Sequence, residues 1–382
     1  RRSPAMGVKL CSIGLASCAS PVAGCLLVQY WHWKGLFVIV GAAAALLAVL
    51  TTLYVPNTKI PKNGKFDWFS FLALAAGCVC ILMVLIYGET DGWTAPGVLC
   101  WMYGGFCSLV LAAISCMTHR TPLLDVRVLG NWRFLFGLLA SLCNIFCICW
   151  VRVGTVQFMR NVMNYEPAGI AWVFLVLVAG FCAGAAIVLP LMQKGRLALR
   201  VGMMAGLLGL GSSAFFLSRL DAGRSWLDVA WPLGLLGVGY AFCLNVATPL
   251  ALRGVEAKSA AASSRTLNTV RYVFISMYVG SVSTVLAHMK TGYRFDMAEQ
   301  VRDDSPGTVQ TLDMWQRHFS ETGGTAADIH ASVNAMLNHA VALQSQIFSV
   351  DAFYLCTVIV GGAGVLFALL CLKSGKERNT AS

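Results

Sequence analysis

Charge is scarce in this chain, and acid is scarcer. Only 12 % of its 382 residues are charged, with 17 Asp and Glu against 28 Lys and Arg. No Gly-x-x-x-x-Gly-Lys-Ser/Thr loop occurs, which argues against ATP-driven work by this chain. His-Glu-x-x-His, Gly-x-Ser-x-Gly and paired carboxylates within an apolar stretch are all missing. A membrane protease or lipid hydrolase needs such acids, bases or metal ligands, so the chain does not read as an enzyme. Nothing in the pattern calls for a cofactor or a metal. No secretory signal pattern opens the chain, which begins Arg-Arg-Ser-Pro-Ala-Met without an initiator methionine and so reads as a fragment.

What is present is apolar. Hydrophobic residues make up 58 % of the chain, far outside the balance of a soluble domain. They gather into ten stretches, near 10–30, 36–55, 68–87, 97–117, 134–157, 168–190, 199–218, 229–251, 267–288 and 351–372. About 20 residues of helix at 1.5 Å each cross a hydrocarbon core of about 30 Å. The expected fold is therefore an all-α polytopic membrane protein with ten transmembrane helices.

The basic residues orient it. Every second connection holds three: Arg1, Arg2, Lys9; Lys59, Lys62, Lys65; Arg120, Arg127, Arg133; Lys194, Arg196, Arg200; Arg253, Lys258, Arg265; and Lys373, Lys376, Arg378. The intervening short loops hold only Lys34, Arg160, Arg219 and Arg224. This is the positive-inside asymmetry, and it puts both termini in the cytoplasm of a multi-pass protein of the bacterial inner (plasma) membrane. The net charge of +11 is spread over six segments with no contiguous patch, which excludes nucleic acid as a partner.

Fifteen cysteines sit almost entirely inside the spans, where they read as small apolar packing residues. The group Cys143, Cys147, Cys149 has no His or carboxylate beside it on its span and is assigned to packing as well. Glycines recur within spans at Gly180/Gly184, Gly202/Gly206, Gly234/Gly237/Gly239 and Gly361/Gly362/Gly364, where small residues let helices approach closely. One connection is long, 289–350, on the outward side. Its second half, Ala326 to Phe348, has apolar residues near helical spacing and is expected to run as an amphipathic helix into the last span. The segment is either a passive linker or a docking surface for a periplasmic partner.

Ten close-packed spans without a large soluble domain suit a transporter, a channel or a membrane-embedded enzyme. Two charges fall within spans, Arg152 and Arg271. Each either snorkels to an interface or contacts a cavity or gate, because an intramembrane charge costs about 3 kcal/mol or more. Asn144, Gln157, Asn245 and Asn268 are the uncharged polar candidates. No acid lies deep in a span; Asp67 and Asp351 stand at span starts. A proton-coupled carrier usually needs a buried carboxylate, and none is expected here.

Several stretches resemble the fourteen-span drug:proton antiporter branch of the major facilitator superfamily, the EmrB/QacA type. Gly7, Ala16, Ser20-Pro21 and Gly24-Cys25 fit its antiporter motif, G-x8-G-x3-G-P-x2-G-G, with three glycines replaced by Ala, Ser and Cys. Trp33-Lys34 and Phe37 are similar to its Trp-Arg-x-x-Phe step. Phe66-Asp67-Trp68, Gly88 and Trp93 resemble the entry and exit of its first extra span. Pro122-Leu123-Leu124-Asp125 with Arg127 resembles the lead-in to its C-terminal bundle, and Asn268-x-x-Arg271 and Asp351 fall where the family has them.

The resemblance implies three parts. Residues 1–55 would be the last two helices of the N-terminal bundle, 56–118 two extra central helices, and 119–382 a C-terminal six-helix bundle with a long periplasmic loop at 289–350. The family's first four spans, with its loop motif and coupling acid, have no counterpart; a worn loop motif at Lys194-Gly195-Arg196 to Arg200 lacks the acid. The implied function is proton-coupled multidrug or toxic-compound efflux by alternating access. In it Asn144, Arg152, Gln157 and Asn245 face the substrate cavity. Asn268 and Arg271 serve gating or coupling, and span one, through Gly7, Ala16, Ser20, Pro21 and Gly24, is the packed hinge. The implied partners are the lipid bilayer, small hydrophobic or amphipathic substrates, protons and a periplasmic membrane-fusion adaptor. Two alternatives stand beside this: a transport-incompetent truncated membrane protein, and the same carrier fold exporting a siderophore or metabolite.

Overall fold

The computed structural model describes residues 2–55, 67–119, 124–192, 196–221, 223–252, 255, 260–300, 310, 313–318 and 326–373. Phe66, Pro122, Leu123, the Lys194-Gly195 pair, most of the basic turns and the centre of the 289–350 segment lie outside the described residues.

Among the described residues the elements are helices: α1 Arg2–Tyr30, α2 Lys34–Tyr54, α3 Trp68–Asp91, α4 Pro96–Thr118, α5 Trp132–Asn161, α6 Pro167–Leu191, α7 Arg196–Leu217, α8 Trp226–Leu252, α9 Ala260–Gln300 and α10 Ala326–Lys373. Nine are long and apolar enough to cross a membrane, and Val201–Leu217 within α7 is a shorter apolar helix. The ten expected stretches thus each coincide with a helix. The physical reason is that an apolar segment in lipid must satisfy every backbone group internally, and a helix does so within itself.

Local chemistry sets the starts. Proline occupies the first helical position of α4 and α6, where its missing N–H costs nothing. Asp67 caps α3, accepting from the Ser70 amide at 3.0 Å and from the Ser70 hydroxyl. Burial alone would push the Asp67 carboxyl up. The hydrogen bonds from Ser70, aided by His119 and Ser115 at the end of α4, outweigh it and hold the group below the usual carboxylate range. Asp125 likewise accepts from the Arg127 amide, and its own amide donates to the Thr266 hydroxyl at 3.1 Å, tying the lead-in of α5 to α9.

One boundary differs from expectation and one matches it. Helix α9 continues to Gln300, well past 288, whereas α10 begins at Ala326 and runs unbroken through Asp351, as expected of the amphipathic segment. Residues 289–300 hold good helix formers and no proline, so polar composition alone does not end the helix. Across Ala326 to Val350 the apolar register leads into the last span with neither Gly nor Pro to stop it. Asp351 therefore lies inside a helix, where the amphipathic segment passes into the last apolar stretch.

Helices α5 to α10 pack into one bundle. The most extensive contacts are α6 on α8, α7 on α8 and α5 on α10, with α9 against α5 and α10. Helix α1 lies along α6 and α8, while α3 and α4 form a hairpin whose α3 touches α9. Helix α2 has no buried residue. The glycine stripes explain two close seams: between α6 and α8 a Cβ at Gly184 would come within 2.9 Å of the Val238 backbone, and between α7 and α8 one at Gly206 within 2.9 Å of the Gly239 carbonyl. Gly362 faces open space and packs against nothing. Cys147 is fully buried between α5 and α10, its thiol 3.7 Å from the Thr357 carbonyl, and serves as packing.

Candidate substrate-binding site

The six polar candidates do not form one site. Helix α5 carries Asn144, Arg152 and Gln157, and the rise per residue separates Asn144 from Arg152 by about 12 Å and from Gln157 by about 20 Å. The structure resolves them into two polar layers.

The first layer surrounds Arg271. The residue is 7 % exposed; Nε donates to the Ser141 hydroxyl at 2.6 Å and Nη1 to the Thr248 hydroxyl at 2.7 Å. Nη2 is buried and has no hydrogen-bond partner among the described residues. No acid among those residues pairs with the cation; the titratable groups beside it are the phenols of Tyr240 and Tyr272. Asn144 stands one turn beyond Ser141 on α5, is 1 % exposed, and its Oδ1 also lacks a partner among the described residues. Asn245 stands one turn before Thr248 on α8 and is satisfied: Nδ2 donates to the Ala241 carbonyl at 2.9 Å, and Oδ1 accepts from the Cys11 thiol at 3.5 Å. Asn268, one turn before Arg271, is half-buried.

An apolar plug closes one end of this layer. Val128, Phe134, Leu138, Leu142, Ala251 and Leu267 cluster where α5 and α9 begin and α8 ends. The larger core of the bundle lies on the other side. Arg271 is thus a cation held between two apolar clusters by neutral hydroxyls.

The second layer joins α5 to α1. Arg152 donates from Nη1 to the Ser17 hydroxyl at 2.8 Å and from Nη2 to the Ser20 hydroxyl at 3.2 Å, while its Nε is buried without a partner among the described residues. Arg152 therefore reaches α1. Along α1, Gly7 is buried against Leu189, whereas Ala16 and Ser20 are exposed, Pro21 is half-buried, and Gly24 has nothing within 4 Å. The buried stripe on that helix is Gly7, Leu10, Gly14, Cys18 and Val22. Gln157 is half-buried farther along α5.

Between the layers runs an aromatic wall that the polar candidates did not anticipate. Phe146 sits 4.1 Å from Trp150, Trp150 stacks on Phe353 at 4.2 Å and 5°, and Tyr278 meets Phe146 edge-on at 5.1 Å. Trp150 also donates from Nε1 to the Ser281 hydroxyl at 3.3 Å. The sequence held a signal for it in the i, i+4 aromatic pairs Phe146/Trp150 and Phe274/Tyr278. Ser141 and Thr248 were legible in the same way, each one turn from a candidate asparagine.

Asp351, noted in the sequence as an acid opening the last span but not as a site candidate, stands apart from both layers. It is half-buried, and its Oδ1 has no hydrogen-bond partner among the described residues. Arg219 and Asp221, in the α7–α8 connection, are its charged neighbours, and Tyr354, one turn on, shares a 2.9 Å hydrogen bond with Thr155 of α5.

No protein-family model matches the chain. The chain is 26 % identical over 289 residues to the multidrug resistance protein Stp of Mycobacterium tuberculosis, covering 75 % of this chain and 53 % of that protein. It is 24 % identical over 272 residues to the putative multidrug resistance protein MdtD of Cronobacter sakazakii, covering 70 % and 56 %. The chain thus spans about half the length of the curated relatives it matches. Among solved structures, a bacterial homologue of the human lysosomal transporter Spinster, inward-facing and unoccupied, aligns at a TM-score of 0.45 and 13 % identity over 80 % of this chain and 68 % of that one.

Proposed function

We propose that this chain works as a secondary transporter of the major facilitator type that expels small hydrophobic or amphipathic compounds. The observation that carries the proposal is the similarity over 289 residues to a protein named for multidrug resistance. That length is enough to include most of the bundle around Arg271. A carrier needs a polar-lined cavity that opens to either side, and its cavity residues lie at helix interfaces near the middle of the membrane. Ser141, Asn144, Thr248 and Arg271 are the buried polar groups proposed to line it, and the rings of Phe146, Trp150 and Phe353 would supply apolar contact of the kind small-molecule sites use.

The proposed energy source is proton entry, worth about 2.3 kcal/mol per charge for each 100 mV of membrane potential. Within this chain Asp351 is the acid best suited to carry the proton, with Arg219, Asp221 and Tyr354 facing it. Both termini facing the cytoplasm, and a periplasmic adaptor meeting the segment between α9 and α10, belong to the same reading.

Efflux of ethidium and of 1-naphthoate, a cationic and an anionic aromatic, from an efflux-deficient host expressing the gene tests it. The expected result is efflux that an uncoupler abolishes and that Asp351→Asn slows. Efflux absent from cells with normal membrane levels of the protein would overturn the transporter reading, and efflux indifferent to both uncoupler and substitution would overturn proton coupling.

A further inference from the structure

We infer that the Arg271 layer binds the carboxylate of an aromatic acid, which makes organic anions with planar bodies the substrate class of the proposed transporter. The inference rests on the transporter reading for its biological sense, but binding itself is an equilibrium property that holds with or without turnover.

Three observations converge on it. The first is the charge. A guanidinium buried among apolar side chains is costly unless an opposite charge accompanies it, and here only two neutral hydroxyls do. The second is the set of unmet groups. Arg271 Nη2 is a donor with no acceptor among the described residues. The Asn144 side chain, whose amide oxygen and nitrogen are interchangeable by rotation, likewise has an end to offer. A forked guanidinium presents parallel donors that match two carboxylate oxygens, which is where arginine differs from lysine.

The third is what lies beside the charge. Arg271, Phe274 and Tyr278 fall at i, i+3 and i+7 on one face of α9, so Tyr278 is about 10 Å along the helix from the guanidinium. Phe274 and Tyr278 are in ring contact at 5.5 Å, and Tyr278 meets Phe146, which begins the wall through Trp150 to Phe353. A ligand with its carboxylate on Arg271 would lay a planar ring system against the half-buried rings of Phe274, Tyr278 and Phe146, which Trp150 and Phe353 back from the core. A free inorganic anion would gain the charge and lose the stacking; a neutral aromatic would do the reverse.

The test is equilibrium binding of 1-naphthoate and its neutral counterpart 1-naphthamide to the full chain in phosphatidylcholine nanodiscs, followed by tryptophan quenching. The expected result is naphthoate bound at least about tenfold more tightly, as a bidentate charge-assisted contact implies. In Arg271→Gln that preference should fall to about parity while naphthamide affinity stays unchanged, and Arg271→Lys should recover part of it. Thr248→Val, which keeps the charge but removes one of its two anchors, should lower the preference without abolishing it. That variant decides the matter if Arg271→Gln fails to fold. Equal affinity for the two ligands in the natural chain, or an undiminished preference in Arg271→Gln or Thr248→Val, would overturn the inference. Loss of the preference when phosphatidylglycerol is added would assign the guanidinium to a lipid headgroup and overturn it too. Absent efflux with the preference intact would refute the transporter reading alone.

Discussion

Arg152 of α5 donates to the hydroxyl of Ser17 on α1 at 2.8 Å, and Ser17 is the residue whose carbonyl Pro21 leaves without its helical partner. A proline cannot donate to the residue four positions earlier. The Ser20 hydroxyl takes that role, donating to the Ser17 carbonyl at 2.9 Å while also accepting from Arg152. The Ser20-Pro21 step, degraded from glycine-proline in the motif it resembles, thus repairs its own backbone and docks on the bundle. In lipid, where water is not available to satisfy the freed carbonyl, that repair is what lets the helix continue through Pro21.

A double-mutant cycle between Arg152→Gln and Ser20→Ala should show a coupling of about 1 kcal/mol in reversible unfolding, the scale of interhelical hydrogen bonds in membrane proteins. Additive effects would mean that the two side chains do not sense each other. The same Ser20→Ala change should also expose the Ser17 carbonyl and raise hydrogen exchange in the turn around Pro21.

The α6–α8 seam and the Gly362 position make opposite predictions for the same kind of substitution. Gly184→Leu forces a side chain against the Val238 backbone and the Ala241 methyl, so destabilisation of about 1–3 kcal/mol or outright loss of monodisperse protein is expected. Gly362→Ala meets nothing within 4 Å and should be neutral or stabilising by up to about 1 kcal/mol, through reduced backbone freedom of the unfolded chain. Thermal unfolding in detergent distinguishes the two.

Asp67 supplies a pH-dependent term. Its carboxyl is held below the usual range in the folded chain, so the stability it contributes is fully present above the unfolded value of about 4 and is lost as pH falls through the lower folded value. Asp67→Ala should therefore destabilise the α3–α4 hairpin by about 1 kcal/mol at neutral pH, as loss of a helix cap does. The gap between parent and variant should stay constant from pH 8 to 5 and narrow only in stronger acid. A gap that opens between pH 6 and 7 would assign the effect to another group.

The long helices mark where reading by composition stopped. A polar stretch after an apolar run reads as loop, yet 289–300 is helical because nothing in it breaks a helix already begun, while the helix expected from Ala326 into the last span is present. Lys290 of α9 and Gln346 of α10 meet across the extensions at 3.3 Å, a contact between residues 56 apart that no local pattern announces.

Helix number, helix positions and the charge bias of the turns were decided by the sequence itself, since apolar length and loop charge are local quantities that lipid reads directly. Only tertiary structure decided which polar groups meet. Ser141, Thr248 and Arg271 stand 23 to 130 residues apart, and only the crossing of α5, α8 and α9 makes them one layer. Arg152 bonds Ser17 and Ser20 of α1, residues 135 and 132 positions away, a pairing that only the packing of α5 beside α1 creates.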